Sequence, residues 1–191
     1  MRPEIADDAC NVQETVVMNR IYRRLWGLFS PLGWGIAAFG FLADRSLQWW
    51  LLAVFDIVHR QPVAPTPFLN VVLVWNRGIS YGLFEQNTAA GRWGLVAMAI
   101  LMVVALAFWI AATRRPVTAA ALGLVQGGAL GNVADRVIYG RVADFFDLHA
   151  YGFHWYVFNL ADVMIVSGAA LLIYDRWIEN RGLRFARRGR R

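Results

Sequence analysis

From Leu95 to Ala112 the chain reads LVAMAILMVVALAFWIAA, with no charge, no proline and no glycine. A helix of roughly 20 apolar residues is what crosses a hydrocarbon core, and this run has no polar face to turn toward water. The full segment is about 93–112. Three more apolar segments accompany it, at about 32–55, 117–134 and 160–177. The first is interrupted by Asp44 and Arg45, the third is rich in glycine and alanine, and the fourth opens on an aspartate. These patterns predict an all-α membrane protein of four transmembrane helices.

The chain has 191 residues, 58% of them hydrophobic and 17% charged. An ordinary soluble domain is about 45–50% apolar. The net charge is +6, yet its arginines form no stripe interleaved with aromatics, so nucleic acid is not an expected partner. The single cysteine, Cys10, excludes an internal disulfide and a multi-cysteine metal site. It lies in a polar leader whose acids, Glu4, Asp7, Asp8 and Glu14, do not suit a cleaved signal peptide. The expected organisation is a leader over 1–31, a four-helix domain over 32–178 and an arginine-rich tail over 179–191.

Orientation follows from the arginines. Thirteen fall in the leader, the tail and the TRRP loop around Arg114 and Arg115; five fall on the opposite side, at Arg60, Arg77, Arg92, Arg136 and Arg141. Arginine accumulates on the cytoplasmic side, so both termini are expected there and the two longer loops outside. The tail would sit against membrane lipids of the inner leaflet. In the first outer loop, residues 67–84 carry a β-branched run and a glycine-bearing turn, which reads as short strands forming a small extracytoplasmic cradle. The second, residues 142–158, is dense in aromatics suited to the membrane interface.

Ionisable groups within spans cost a few kcal/mol and need a reason. They occur at Asp44-Arg45, at GGALGNVADR over 127–136 and at FNLAD over 158–162. Asn132 and Asp135 are three apart, as are Asn159 and Asp162, so each pair shares a helix face. Asp144 and Asp147 lie between the two motifs. Carboxylates brought close cannot both ionise readily; one keeps a proton, and the pair can act as base and acid in hydrolysis. Amides beside them can donate to a developing oxyanion. Gly127, Gly128 and Gly131 permit close approach of helices or of a substrate. Plain ion pairing of Asp44 with Arg45, and of Asp135 with Arg136, is the alternative for those acids. A small proton-coupled transporter using Asp162 and Asp44 is the competing function.

Four motifs in order carry a resemblance to a known family: Asn76-Arg77-Gly78 with Ser80-Tyr81-Gly82, GGALGN-x-x-DR over 127–136, VADF over 142–145 and FNLAD over 158–162. Over about residues 32–178 the chain resembles signal peptidase II, the bacterial lipoprotein signal peptidase. The resemblance implies a metal-free, cofactor-free aspartic endopeptidase of the inner membrane, its site near the periplasmic face. Its substrates would be prolipoproteins carrying a diacylglyceryl cysteine, cut just before that residue, and globomycin would inhibit it. It implies Asp144 and Asp162 as the catalytic pair. Asn76, Gly78, Asn132, Arg136 and Asn159 would bind substrate, with Asp135 and Asp44 in support. Family members usually read Asp-Gln-x-x-Lys in the first span, where this chain has Asp44-Arg45-Ser46-Leu47-Gln48. From the residues alone, an extended 142–158 segment lets only one of Asp144 and Asp147 face the site, while a helical turn admits both. The resemblance selects Asp144.

Overall fold

A computed structural model describes residues 26–78 and 88–188, with side chains through Arg181. Residues 1–25 of the leader and Ser80, Tyr81 and Gly82 lie outside the described residues. Four long helices run in the order α1 (Ser30–Trp49), α3 (Ala89–Ala112), α4 (Pro116–Ile138) and α5 (Leu160–Arg188). Between α1 and α3 come a π-helical turn (Trp50–Val54), the short helix α2 (Ile57–Arg60), and strands β1 (Val63–Thr66) and β2 (Leu69–Asn76). Strands β3 (Val142–Ala150) and β4 (Phe153–His154) separate α4 from α5.

Helix α4 is central and packs against α1, α3 and α5. It buries residues around most of its circumference, from Thr118 to Asp135, which its small side chains allow. A Cβ on Gly131 would lie 2.6 Å from Asp44 Oδ2, and one on Gly128 would collide with the Ala161 carbonyl, so both positions require glycine for helix-to-helix approach. Helix α1 buries Ser30, Gly33, Ala37, Gly40, Asp44 and Gln48, a stripe at three- and four-residue spacing that faces α4. At the opposite end of the helices, Asp175 of α5 accepts from Arg115 (2.6 Å) and from Thr118 Oγ1 (2.6 Å), which ties α5 to the start of α4. There too, Gly27 N and Ser30 Oγ both donate to the Ala111 carbonyl at 2.7 Å, fastening the end of α3 to the start of α1.

Two of these helices, α3 and α4, are long and apolar enough to cross a membrane. Helix α1 carries Asp44 and Arg45, and α5 carries Asp162 and Asp175. The first apolar segment gives way to a π-helical turn after Trp49 rather than continuing as α-helix to residue 55. Helix α5 runs on past residue 178 to Arg188.

The two segments expected to lie outside form more than short cradle strands: an antiparallel sheet in the order β1-β2-β3-β4. The segment read as an aromatic-rich loop holds its longest strand, β3. Pairing of Val74 with Asp144 and of Asn76 with Val142 fixes β3 against β2. Ala143 and Phe145 are buried with Leu51 and Ile57 on one face, so Asp144, between them in sequence, points to the other. The chain then returns beside β3, where Phe146 and Phe158 exchange backbone hydrogen bonds at 2.9 and 3.1 Å. That return sets Asn159, the first residue before α5, next to Asp144.

Candidate active site

Asn159 is the junction of the site. It is the N-cap of α5: its Oδ1 accepts from Asp162 N (2.9 Å), while Asp162 Oδ2 accepts from Asn159 N (3.4 Å). This reciprocal arrangement satisfies two of the helix's free N–H groups and locks the Asp162 rotamer. The same Asn159 donates Nδ2 to Asp144 Oδ1 (2.8 Å) and to Asn132 Oδ1 (3.2 Å). Asn132, on α4, donates in turn to Asp162 Oδ1 at 3.0 Å. Asp144 Oδ2 accepts from Asn76 Nδ2 at 3.2 Å. One network of amides therefore joins the two carboxylates, and it draws on β2, β3, α4 and α5.

Asp144 is 1% exposed, whereas Asp162 is partly open. Burial, and next the charge of Asp162, push the Asp144 carboxyl up from 3.8 to about 7. Arg136 donates to the Asn132 carbonyl (3.1 Å) and to the Gly78 carbonyl (2.7 Å), and Gly78 N donates to Asn76 Oδ1 (2.9 Å). Asn76, Asn132, Arg136 and Asp162 line one wall of a cavity of about 480 Å³, whose other walls include Met102, Ile165, Val166, Trp155 and Phe158. The cavity thus has a polar, charged end beside the acids and an apolar body between α3, α4 and α5.

The structure brings Asn76, Gly78, Asn132, Arg136, Asp144, Asn159 and Asp162 into this single network. Asp147 lies elsewhere. It pairs with His154 (3.0 Å) and accepts from Asn70 (3.2 Å). Burial raises its carboxyl, but those two hydrogen bonds, together with the charges of His154 and His149, hold Asp147 below the ordinary carboxylate value. Asp135 is not paired with Arg136; it accepts from Arg45 (2.5 Å), Gln48 (3.0 Å) and Ala143 N (3.0 Å). Asp44 does pair with Arg45, and it also accepts from Ala161 N at 3.1 Å. The reach of Arg45 and Gln48 to Asp135 was not legible in the sequence. The only signal was two polar side chains in one span, three apart and hence on one face.

Residues 36–178 match the family model described as signal peptidase (SPase) II. The chain belongs to the signal peptidase II family. It is 49% identical over 152 residues to the lipoprotein signal peptidase of Methylobacterium sp. (strain 4-46), covering 79% of this chain and 92% of that one. It is 45% identical over 151 residues to the lipoprotein signal peptidase of Methylocella silvestris, with coverage of 79% and 88%. Two solved structures of a bacterial membrane enzyme, obtained by the in meso method at 2.3 and 1.9 Å, share the fold. Their TM-scores are 0.69 and 0.66, their identities 24% and 25%, and they match 82% and 80% of this chain and 93% and 96% of theirs. Membership makes the chain a membrane-bound peptidase and does not favour the transporter reading.

Proposed function

We propose that the protein removes signal peptides from diacylglyceryl-modified prolipoproteins by metal-free aspartic catalysis, with Asp144 and Asp162 as the catalytic pair. The observation that carries this reading is the amide network through Asn159 that couples Asp162, in the cavity wall, to Asp144 buried behind it. Asp144, pushed up to about 7, holds the shared proton near neutrality. Asp162 takes a proton from water as the water oxygen bonds to the scissile carbonyl carbon. Asp144 protonates the carbonyl oxygen, and Arg136 in the cavity wall adds positive charge beside it. Collapse breaks the C–N bond; the amine leaves with the proton that Asp162 had taken, and Asp144 recovers its own from the diol. Asn76, Gly78, Asn132 and Asn159 hold the acids and border the substrate.

In this reading α1, α3, α4 and α5 all span the bacterial inner membrane. Both termini are cytoplasmic, and the sheet with the acids lies toward the periplasm. Both oxygens of Asp144 and both of Asp162 are already engaged by amide N–H groups, an arrangement suited to proton transfer rather than to holding a cation. Purified protein in detergent should therefore cleave a diacylated prolipoprotein in EDTA, stop with globomycin, and give no product as Asp162→Asn. Loss on chelation with recovery on adding a divalent metal would overturn the aspartic mechanism.

A further inference from the structure

Asp44 and Asp135 touch neither catalytic carboxylate, yet they occupy matching places. Asp135 Oδ2 accepts the backbone N–H of Ala143 (3.0 Å), the residue just before Asp144. Asp44 Oδ1 accepts the backbone N–H of Ala161 (3.1 Å), the residue just before Asp162. Their other oxygens converge on one guanidinium. Arg45 NH1 meets Asp135 Oδ1 at 2.5 Å, while NH2 and Nε meet Asp44 Oδ2 at 2.5 and 3.1 Å. Both acids are buried, at 4% and 1% exposure, so each needs that cation close by.

We propose that Arg45 is a positioning residue that sets the spacing of Asp144 and Asp162, through Asp135 and Ala143 on one side and Asp44 and Ala161 on the other. The proposal rests on reading those two acids as the catalytic pair. Asp144 sits on a strand and Asp162 on a helix, so no single element of secondary structure fixes their separation. The guanidinium is planar, with its N–H groups in a fixed fork. Two carboxylates bound to it are held at a set distance, and each transmits that distance through one hydrogen bond to the backbone beside a catalytic residue. The Ala161 N–H lies in the first turn of α5, where no intrahelical partner exists, so Asp44 is its acceptor.

The neighbourhood also supplies a control. Gln48 lies four residues from Asp44 on the same face of α1 and donates to Asp135 Oδ2 at 3.0 Å. A guanidinium moved from position 45 to position 48 would start beside Asp135 and one helical turn from Asp44. The experiment compares Arg45→Gln with the double variant Arg45→Gln, Gln48→Arg, each purified as the full chain and assayed on a diacylated prolipoprotein for kcat and KM. Melting temperature in detergent is measured in parallel. Arg45→Gln should lose about 100-fold in kcat, the order expected when a reacting group is displaced by about 1 Å, with KM changed less than about 3-fold. The double variant should recover at least about 10-fold of that loss.

A folded Arg45→Gln protein with wild-type kcat overturns the proposal, and so does a folded double variant that recovers nothing. If Arg45→Gln does not accumulate, Arg45→Lys decides, since it keeps the charge without the fork. Lowered kcat at unchanged KM and melting temperature supports the positioning role, and wild-type kcat overturns it. Asp144→Asn and Asp162→Asn are run alongside. Product from either overturns the catalytic pair itself, whereas normal kcat in Arg45→Gln with both of those inactive overturns only the role of Arg45.

Discussion

Replacing Asp144 with asparagine should abolish cleavage and also change how stability depends on pH. The folded protein holds a proton on Asp144 up to about pH 7, while the unfolded chain releases it near 3.8. Between those values the native state binds more protons than the unfolded state. Wild-type stability therefore falls as pH rises through the window and levels off above it. A shift of this size is worth about 4 kcal/mol. Asparagine does not titrate and escapes the loss, but it has its own cost. Both Asp144 oxygens accept amide donors, from Asn159 at 2.8 Å and Asn76 at 3.2 Å. The new NH2 must face one of these, forfeiting a hydrogen bond worth about 1–3 kcal/mol in a buried site. The variant should thus melt below wild type near pH 4 and above it at pH 8. At roughly 2–4 °C per kcal/mol for a chain of this length, the difference in melting temperature should climb by on the order of 10 °C. Thermal unfolding in detergent at several pH values from 4 to 8 measures it. A difference that stays flat across that range would refute the assignment of the proton to Asp144.

Asp147→Asn should keep substantial cleavage activity, because its carboxylate serves Asn70 and His154 and not the dyad. An inactive Asp147→Asn protein alongside an active Asp144→Asn protein, in the same prolipoprotein assay, would reverse the assignment. For topology, a reporter active only outside the cytoplasm should be silent when fused after Arg191 and active when inserted at the exposed Tyr151–Gly152 turn. The opposite pattern would turn the site to the wrong side of the membrane.

What the sequence revealed is what short spacing encodes. The apolar run of α3, the glycines of α4 and the two Asn-x-x-Asp motifs are local, and each has its effect within a turn or two of helix. Asn159 with Asp162 is legible for that reason, since N-cap and N3 are always three apart. Strand β3 was not legible. Val142 to Phe145 are all buried, so polar and apolar residues do not alternate there, and the clustered aromatics read as interface. Arg45 was hidden for a different reason. Its neighbour Asp44 accounts for its charge locally, while its second partner, Asp135, is 90 positions away and is reached only when α1 packs on α4. Periodicity also left open whether the segment holding Asp144 and Asp147 is strand or turn, and the pairing with β2 makes it strand.

The fastening of α3 has a mechanical consequence. At one end, its Ala111 carbonyl takes two hydrogen bonds from the start of α1; along its length it buries only Val96, Leu106 and Ile110. Helices α4 and α5, by contrast, are joined at both ends, through Asp175 below and through Asn132 and Asn159 near the acids. Apolar side chains slide past one another more cheaply than buried hydrogen bonds break. Among the described residues, α3 is thus tied by hydrogen bonds at its Ala112 end and rests on side-chain packing at the other, where Arg92 lies against Gly140. Its 24 residues make a lever of roughly 36 Å, so a tilt of about 10° about the Ala112 end would swing the other end by roughly 6 Å. Ala99 and Met102, the part of the cavity wall that α3 supplies, would move with it. In the proposed reading, such a tilt would widen the cavity most toward Asp162, on the side from which a lipid-modified peptide would arrive.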